Sequence, residues 1–150
     1  MTLRLHHPAE LLDLIGHDLG TTVPHEITQE QVDRFAVATG DHQWIHTDPV
    51  RASRGPFGGT IAHGYLTVSL IPVILAEVLA VDNCSAMLNY GLNRVRFPAP
   101  VPTGSKLRAT VRVAGARHKP AGLEAVFEIN CEIDGGTRPV CIAEMVVLYT

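Results

Sequence analysis

Apolar residues recur at helical spacing in the first half of the chain and alternate with polar ones in the second. Val32, Phe35 and Ala36 stand at i, i+3 and i+4, one stripe of a helix. Thr28 and Gln31 form a T-x-x-Q capping box at its start, and Gly40 can take the left-handed turn that ends it. Pro8 opens a shorter helix through Leu14, with Gly16 just past its end. Asp48-Pro49 reads as an N-cap followed by proline at the first helical position. From Tyr65 to Ala80 the run YLTVSLIPVILAEVLA carries Glu77 as its one charge. A helix apolar on every face is buried on most of them, and Pro72 kinks it unless it starts late.

From Glu124 to Asp134 the period becomes two: Ala125, Phe127, Ile129, Cys131 and Ile133 share one face, and polar residues take the other. Leu107, Ala109, Val111 and Val113 alternate with Arg108, Thr110 and Arg112, and Asn89 to Phe97 supplies a further strand. Val140 to Leu148 is apolar on both faces, as a central strand is. Asp134-Gly135-Gly136 and the segment Arg117 to Gly122 supply turns. Met87, Phe97, Phe127 and Met145 read as core. The simplest packing is α+β: one domain over residues 1–150, with an antiparallel sheet wrapped around a long buried helix.

Composition narrows this picture. Hydrophobic residues make up 46% of the 150 and charged ones 18%, which predicts apolar surface covered by a partner subunit. A net charge of −3 with no basic block argues against nucleic acid as partner. Cys84, Cys131 and Cys141 are odd in number and form no C-x-x-C, so they read as small hydrophobes in a reducing compartment. The first twenty residues do not resemble a secretory signal, and the apolar run Gly64 to Ala76 is short for a bilayer. A cytoplasmic protein without a membrane span is expected.

The candidate chemistry lies in one loop. Asp41 follows the end of a helix and His46 precedes the next, so a connection pinned at both ends can aim both side chains at one water. Asp41 alone also suits a turn cap, and His46 alone a packed histidine; their spacing distinguishes them. Further on, Gly59-Thr60-Ile61-Ala62-His63-Gly64 leads into the apolar helix, whose first N–H groups can hold a developing oxyanion. Gly64 has no side chain to obstruct a thioester. His42, His46, His63 and Asp48 do not have the spacing of a metal site, and the glycine-rich loop lacks the G-K-[ST] ending of a phosphate loop. A water, an acid/base pair and an oxyanion site beside an apolar helix suit hydration of an α,β-unsaturated thioester.

The run G-D-x-x-x-x-H, then G-P-F-G-G-T-I-A-H-G-Y-L, then N-Y-G-L-N-R-V-R-F-P-A-P-V, resembles the MaoC-like dehydratases, the (R)-specific enoyl-CoA hydratases of the hydratase 2 type. The likeness runs from about Ile27 to the C-terminus. It implies a homodimeric hotdog fold and a place in fatty acyl metabolism. It also implies that Asp41 and His46 activate the water and that the Gly64 N–H polarises the thioester carbonyl, giving a (3R)-hydroxyacyl product. Coenzyme A, or an acyl carrier protein, enters as part of the substrate, with no separate cofactor. Where the family has Asn-Pro, this chain has Gln43-Trp44; Gln43 still donates and accepts, one methylene further out. His63, Gln43 and Tyr65 are candidate substrate contacts. Arg94, with Arg96 and Lys106, suits either coenzyme A phosphates or a solvated strand edge. Two rival functions share these features: a hotdog thioesterase, and a non-catalytic subunit that binds acyl thioester beside an active hydratase.

Overall fold

The computed structural model describes all residues from Met1 to Thr150. Helix α1 (Gln29–Thr39) starts where Thr28 accepts the Gln31 N–H at 3.1 Å and stops at Gly40, whose φ is +82° and whose N–H bonds Ala36. The return bond from the Gln31 side chain is not made, so half of the expected capping box forms. Two one-turn helices follow, α2 (Trp44–Thr47) and α3 (Pro49–Ala52); Asp48 caps α3 by accepting the Arg51 N–H at 2.9 Å, as its sequence predicts. Pro8–Leu14 forms a 3-10 helix capped by His7 and Glu10 rather than an α-helix.

The apolar run becomes two helical pieces, α4 (Gly64–Ser69) and α5 (Ile71–Val78), hinged at Leu70. Pro72 lacks the N–H that would bond Val68, and its ring crowds that carbonyl, so the break falls where a kink is predicted. The helix is shorter than expected. It ends at Val78, and Leu79–Val81 becomes a strand, β4, parallel to β1 (Leu3–Leu5). The N-terminal residues claim that backbone, a long-range pairing that hydropathy does not register.

Four long strands build the sheet: β5 (Met87–Arg96), β6 (Lys106–Lys119), β7 (Gly122–Ile133) and β8 (Pro139–Tyr149). With β2 (Asp18–Thr21) the order is β2-β6-β7-β8-β5, and β3 (His25–Glu26) also pairs with β6; all pairings in this sheet are antiparallel. β2 and β3 interrupt a half of the chain that reads as helical. Being four and two residues long, they are too short for alternation to reveal.

The inner face follows the predicted alternation. Val111, Val113, Ala125, Phe127, Ile129 and Cys131 are at most 1% exposed and join Ile71, Ile74, Leu75 and Val78 in one core. Each large aliphatic buried there contributes roughly 2 kcal/mol through surface removed from water. Met145 is buried as expected, but Met87 and Phe97 are 41% and 43% exposed. Met87 opens the edge strand β5 and Phe97 directly follows it, where no further strand covers them. No helix is long and apolar enough to cross a membrane.

On the outer face of β7, Glu124 is covered by two cations, Arg117 Nε at 2.8 Å and Lys119 Nζ at 2.7 Å. The hydrogen bonds from Lys119 and then Arg117 hold its carboxyl below the ordinary value of 4.5. A carboxyl lowered by folding stabilises the fold fully above its unfolded pKa and loses that contribution as pH falls through the folded one. Glu124→Gln is therefore expected to melt lower at neutral pH and to lose less on acidification than the parent. Thermal melts from pH 7 to pH 3 test this; parallel acid limbs would refute it.

Candidate active site

His46 is tied down from three directions. It sits in the single turn of α2 and is 6% exposed. Its carbonyl accepts from Gln29 Nε2 at 2.8 Å, and its ring Nδ1 lies 2.7 Å from the Ile61 carbonyl. A carbonyl oxygen only accepts, so Nδ1 carries the proton and Nε2 keeps a lone pair. Ile61 is fixed in turn, its N–H on Ile45 and the next N–H, of Ala62, on Val101. Gln29 also accepts from Thr60, whose hydroxyl lies 2.5 Å from that of Thr103. Gln29, Thr60 and Thr103 brace the site, yet no spacing in the sequence links positions 29, 60 and 103.

Asp41 begins the loop and is exposed. One of its carboxylate oxygens accepts the Gln43 N–H at 3.3 Å. A carboxylate oxygen of Asp41 and a ring nitrogen from each of His46 and His63 all lie within 4.8 Å of one another. One water can bridge groups at that separation. The His46 and His63 rings stack at 3.9 Å and 26°.

A cavity of about 320 Å³ connects this loop to the start of α4. His46, Phe57, Gly64, Thr67, Phe97 and Val140 are among its walls. Gly64 and Tyr65, as the first residues of the helix, have N–H groups without intrahelical acceptors. A β-carbon on Gly64 would stand 3.0 Å from two atoms of the Phe97 ring, so glycine at this position answers to a close aromatic neighbour as well as to access. Phe97, read from the sequence as core, is instead a wall of the cavity. A second cavity, about 230 Å³, lies beside α5 near Ile27, Leu70 and Ile74; its His25 and Glu77 are bound to each other.

The other expected contacts are spread out. Gln43 is the exposed N-cap of α2, and Tyr65 is 73% exposed with its ring edge-on to Phe97 at 6.2 Å. Arg94 is exposed on β5 opposite Glu144 and is not among the cavity walls. His63 is 2% exposed, behind His46 rather than on the cavity wall.

Residues 11–127 match the family model of the MaoC like domain. The chain belongs to the MaoC-like dehydratases. It is 46% identical over 142 residues to 3-hydroxyacyl-thioester dehydratase Z of Mycobacterium tuberculosis, covering 94% of this chain and 94% of that protein. It is 38% identical to nodulation protein N of Rhizobium leguminosarum, covering 95% of this chain and 92% of that protein. In fold it is similar to the (R)-hydratase from A. caviae, with a TM-score of 0.75, 24% identity and coverage of 91% and 96%. It is also similar to a chain of the ChsH1-ChsH2 complex from Mycobacterium tuberculosis, with a TM-score of 0.72, 12% identity and coverage of 91% and 98%. These likenesses bear out the expected α+β hotdog and the dehydratase class of lyase.

For a MaoC-like dehydratase the approach of Phe97 to Gly64 has a direct consequence. Gly64→Ala is expected to keep the fold, because Phe97 is 43% exposed and its ring can turn aside. Turnover should fall by about tenfold or more, since the ring and the new methyl narrow the cavity at the start of α4. Melting temperature and enoyl-thioester turnover measured together test this; unchanged turnover would show that the open Gly64 surface is not needed.

Proposed function

We propose that this chain hydrates 2-enoyl-CoA to (3R)-hydroxyacyl-CoA and catalyses the reverse dehydration, with Asp41 and His46 as its acid/base pair. The observation that carries this reading is the contact of His46 Nδ1 with the Ile61 carbonyl, which leaves Nε2 available to accept, on a cavity shared with Gly64, with an Asp41 carboxylate oxygen within 4.8 Å of a ring nitrogen of each histidine. In the hydration direction the substrate carbonyl accepts from the Gly64 N–H. Water held by Asp41 and His46 gives a proton to His46 as its oxygen bonds to C3. The electrons of the double bond move toward the carbonyl, whose oxyanion the α4 N-terminus stabilises. A proton from the same acid/base set is delivered to C2, so the elements of one water are added across the double bond and the catalytic groups return to their starting state. No further cofactor takes part.

Asp41→Asn and His46→Gln are each expected to lower crotonyl-CoA hydration by roughly a hundredfold or more with little change in melting temperature. The parent should consume the enoyl absorbance, release no free thiol and yield the (3R) alcohol. Release of coenzyme A thiol would instead favour a thioesterase, and wild-type rates in both variants would remove the pair from the mechanism.

The reading includes a homodimer. β5 is an edge strand carrying exposed Met87, Leu88, Tyr90 and Leu92, an apolar row that a second copy can cover. Tyr90→Glu with Leu92→Glu should shift the chain from dimer to monomer in sedimentation or light scattering; a parent that is already monomeric at micromolar concentration contradicts this part of the proposal.

A further inference from the structure

The His63 side chain touches both members of the Asp41–His46 pair, and it does so from outside the cavity wall. Its Nε2 is 3.0 Å from the Asp41 carbonyl, and since a carbonyl only accepts, Nε2 carries the proton. The Asp41 carbonyl makes no other hydrogen bond. This contact therefore fixes the Asp41–His42 peptide plane, one residue past the left-handed Gly40, and with it the direction in which the Asp41 side chain leaves the backbone. The opposite influence is on His46, whose ring lies 3.9 Å from that of His63 at 26°. Phe35 closes on His63 at 4.9 Å and 56°, so the ring is clamped between helix α1 and His46.

The remaining nitrogen supplies the decisive sign. His63 Nδ1 is buried and has no hydrogen-bond partner. The His63 side chain does not cap α4 either. A position needed only for packing would be better filled by an apolar ring, because an unpaired buried acceptor destabilises the fold. The imidazole is kept despite that penalty, and the one thing it supplies that phenylalanine cannot is the Nε2–H on Asp41.

We infer that His63 is a positioning residue: it holds Asp41 through a main-chain hydrogen bond and His46 through ring stacking, and neither contacts substrate nor exchanges a proton with it. This rests on the hydration reading above. Two variants of the full chain separate its contributions. His63→Phe keeps a stacking ring and loses the donor; His63→Gln restores an amide N–H at the Nε2 position and loses the ring. With crotonyl-CoA, the Phe variant is expected to lose about a hundredfold in kcat with KM changed less than about threefold, because a misplaced group slows chemistry more than binding. The Gln variant is expected to recover at least about tenfold of that loss. A folded Phe variant with wild-type kcat, a Gln variant no better than Phe, or a loss confined to KM overturns the inference.

Histidine nitrogen NMR on the parent gives an answer independent of turnover. His63 should show the Nε2–H tautomer, and the His46 ring signals should move in the Phe variant. An Nδ1–H tautomer at His63, or unmoved His46 signals, defeats the positioning role even if the chain proves a good hydratase. A parent without hydratase activity but with these signals defeats the reaction and leaves the contact standing.

Discussion

The apolar helix α5 has to bury one whole side against the sheet, and that requirement organises the rest of the molecule. Ile71, Ile74, Leu75 and Val78 share one core with the inner face of the sheet, with Leu5 of β1 and with Ile27 before α1, while Val73 on the opposite side is 60% exposed. With α5 packed on the sheet by its buried side, α4 cannot move far, since only Leu70 separates them. The amide end of α4 is thereby a fixed point against which a reacting carbonyl can be placed. The break at Pro72 serves the same end: it lets the first turns point toward the loop while the later ones follow the sheet.

The loop with Asp41 and His46 reaches that fixed point by cross-links rather than by packing. Its hydrogen bonds run to distant segments: His46 to Gln29 and Ile61, Ile61 to Ile45, Asp41 to His63. The bond to Gln29 ties the loop to the first residue of α1, and the other three tie it to the stretch that precedes α4. A loop anchored at separated points loses little further entropy when it holds a water or a ligand. The Gln29–Thr60–Thr103 chain of side chains acts one layer further out, holding the backbone that holds His46.

Local chemistry made much of this legible in the sequence. Gly40 and Asp48 act through contacts within a few residues, so their roles can be read from the residues themselves. β7 and the first half of β6 show in the alternation because one face is buried, and β8 shows as an apolar run because both of its faces are largely buried. What escaped depends on partners far along the chain. Leu79–Val81 has the composition of a helix end, and only Leu3–Leu5 beside it makes it a strand. Phe97 has the hydropathy of a core residue, but it lies just past an edge strand, where the same side chain becomes a cavity wall. His63 and Gly64 were legible as a motif; that one is buried behind the loop and the other faces the cavity is a matter of which way successive side chains leave the backbone.

The departure at Gln43-Trp44 tests how much of the loop is set by those anchors. Trp44 is far bulkier than the proline usual in the family, yet His46 still points inward. The structure accommodates the indole on the outer side: a β-carbon on Gly55 would meet the Trp44 ring at 3.0 Å, and the Arg51 guanidinium lies 4.4 Å over that ring. Gly55 leaves the room, and Arg51 covers the ring from solvent through a cation–π contact. Proline restrains a backbone by its ring, whereas here tryptophan restrains it by being held between two neighbours. The direction of His46 depends on its bonds to Gln29 and Ile61, and neither of those is altered by what stands at position 44. The substitution therefore reshapes the outer surface near α3 and leaves the inward geometry of the pair to the anchors that set it.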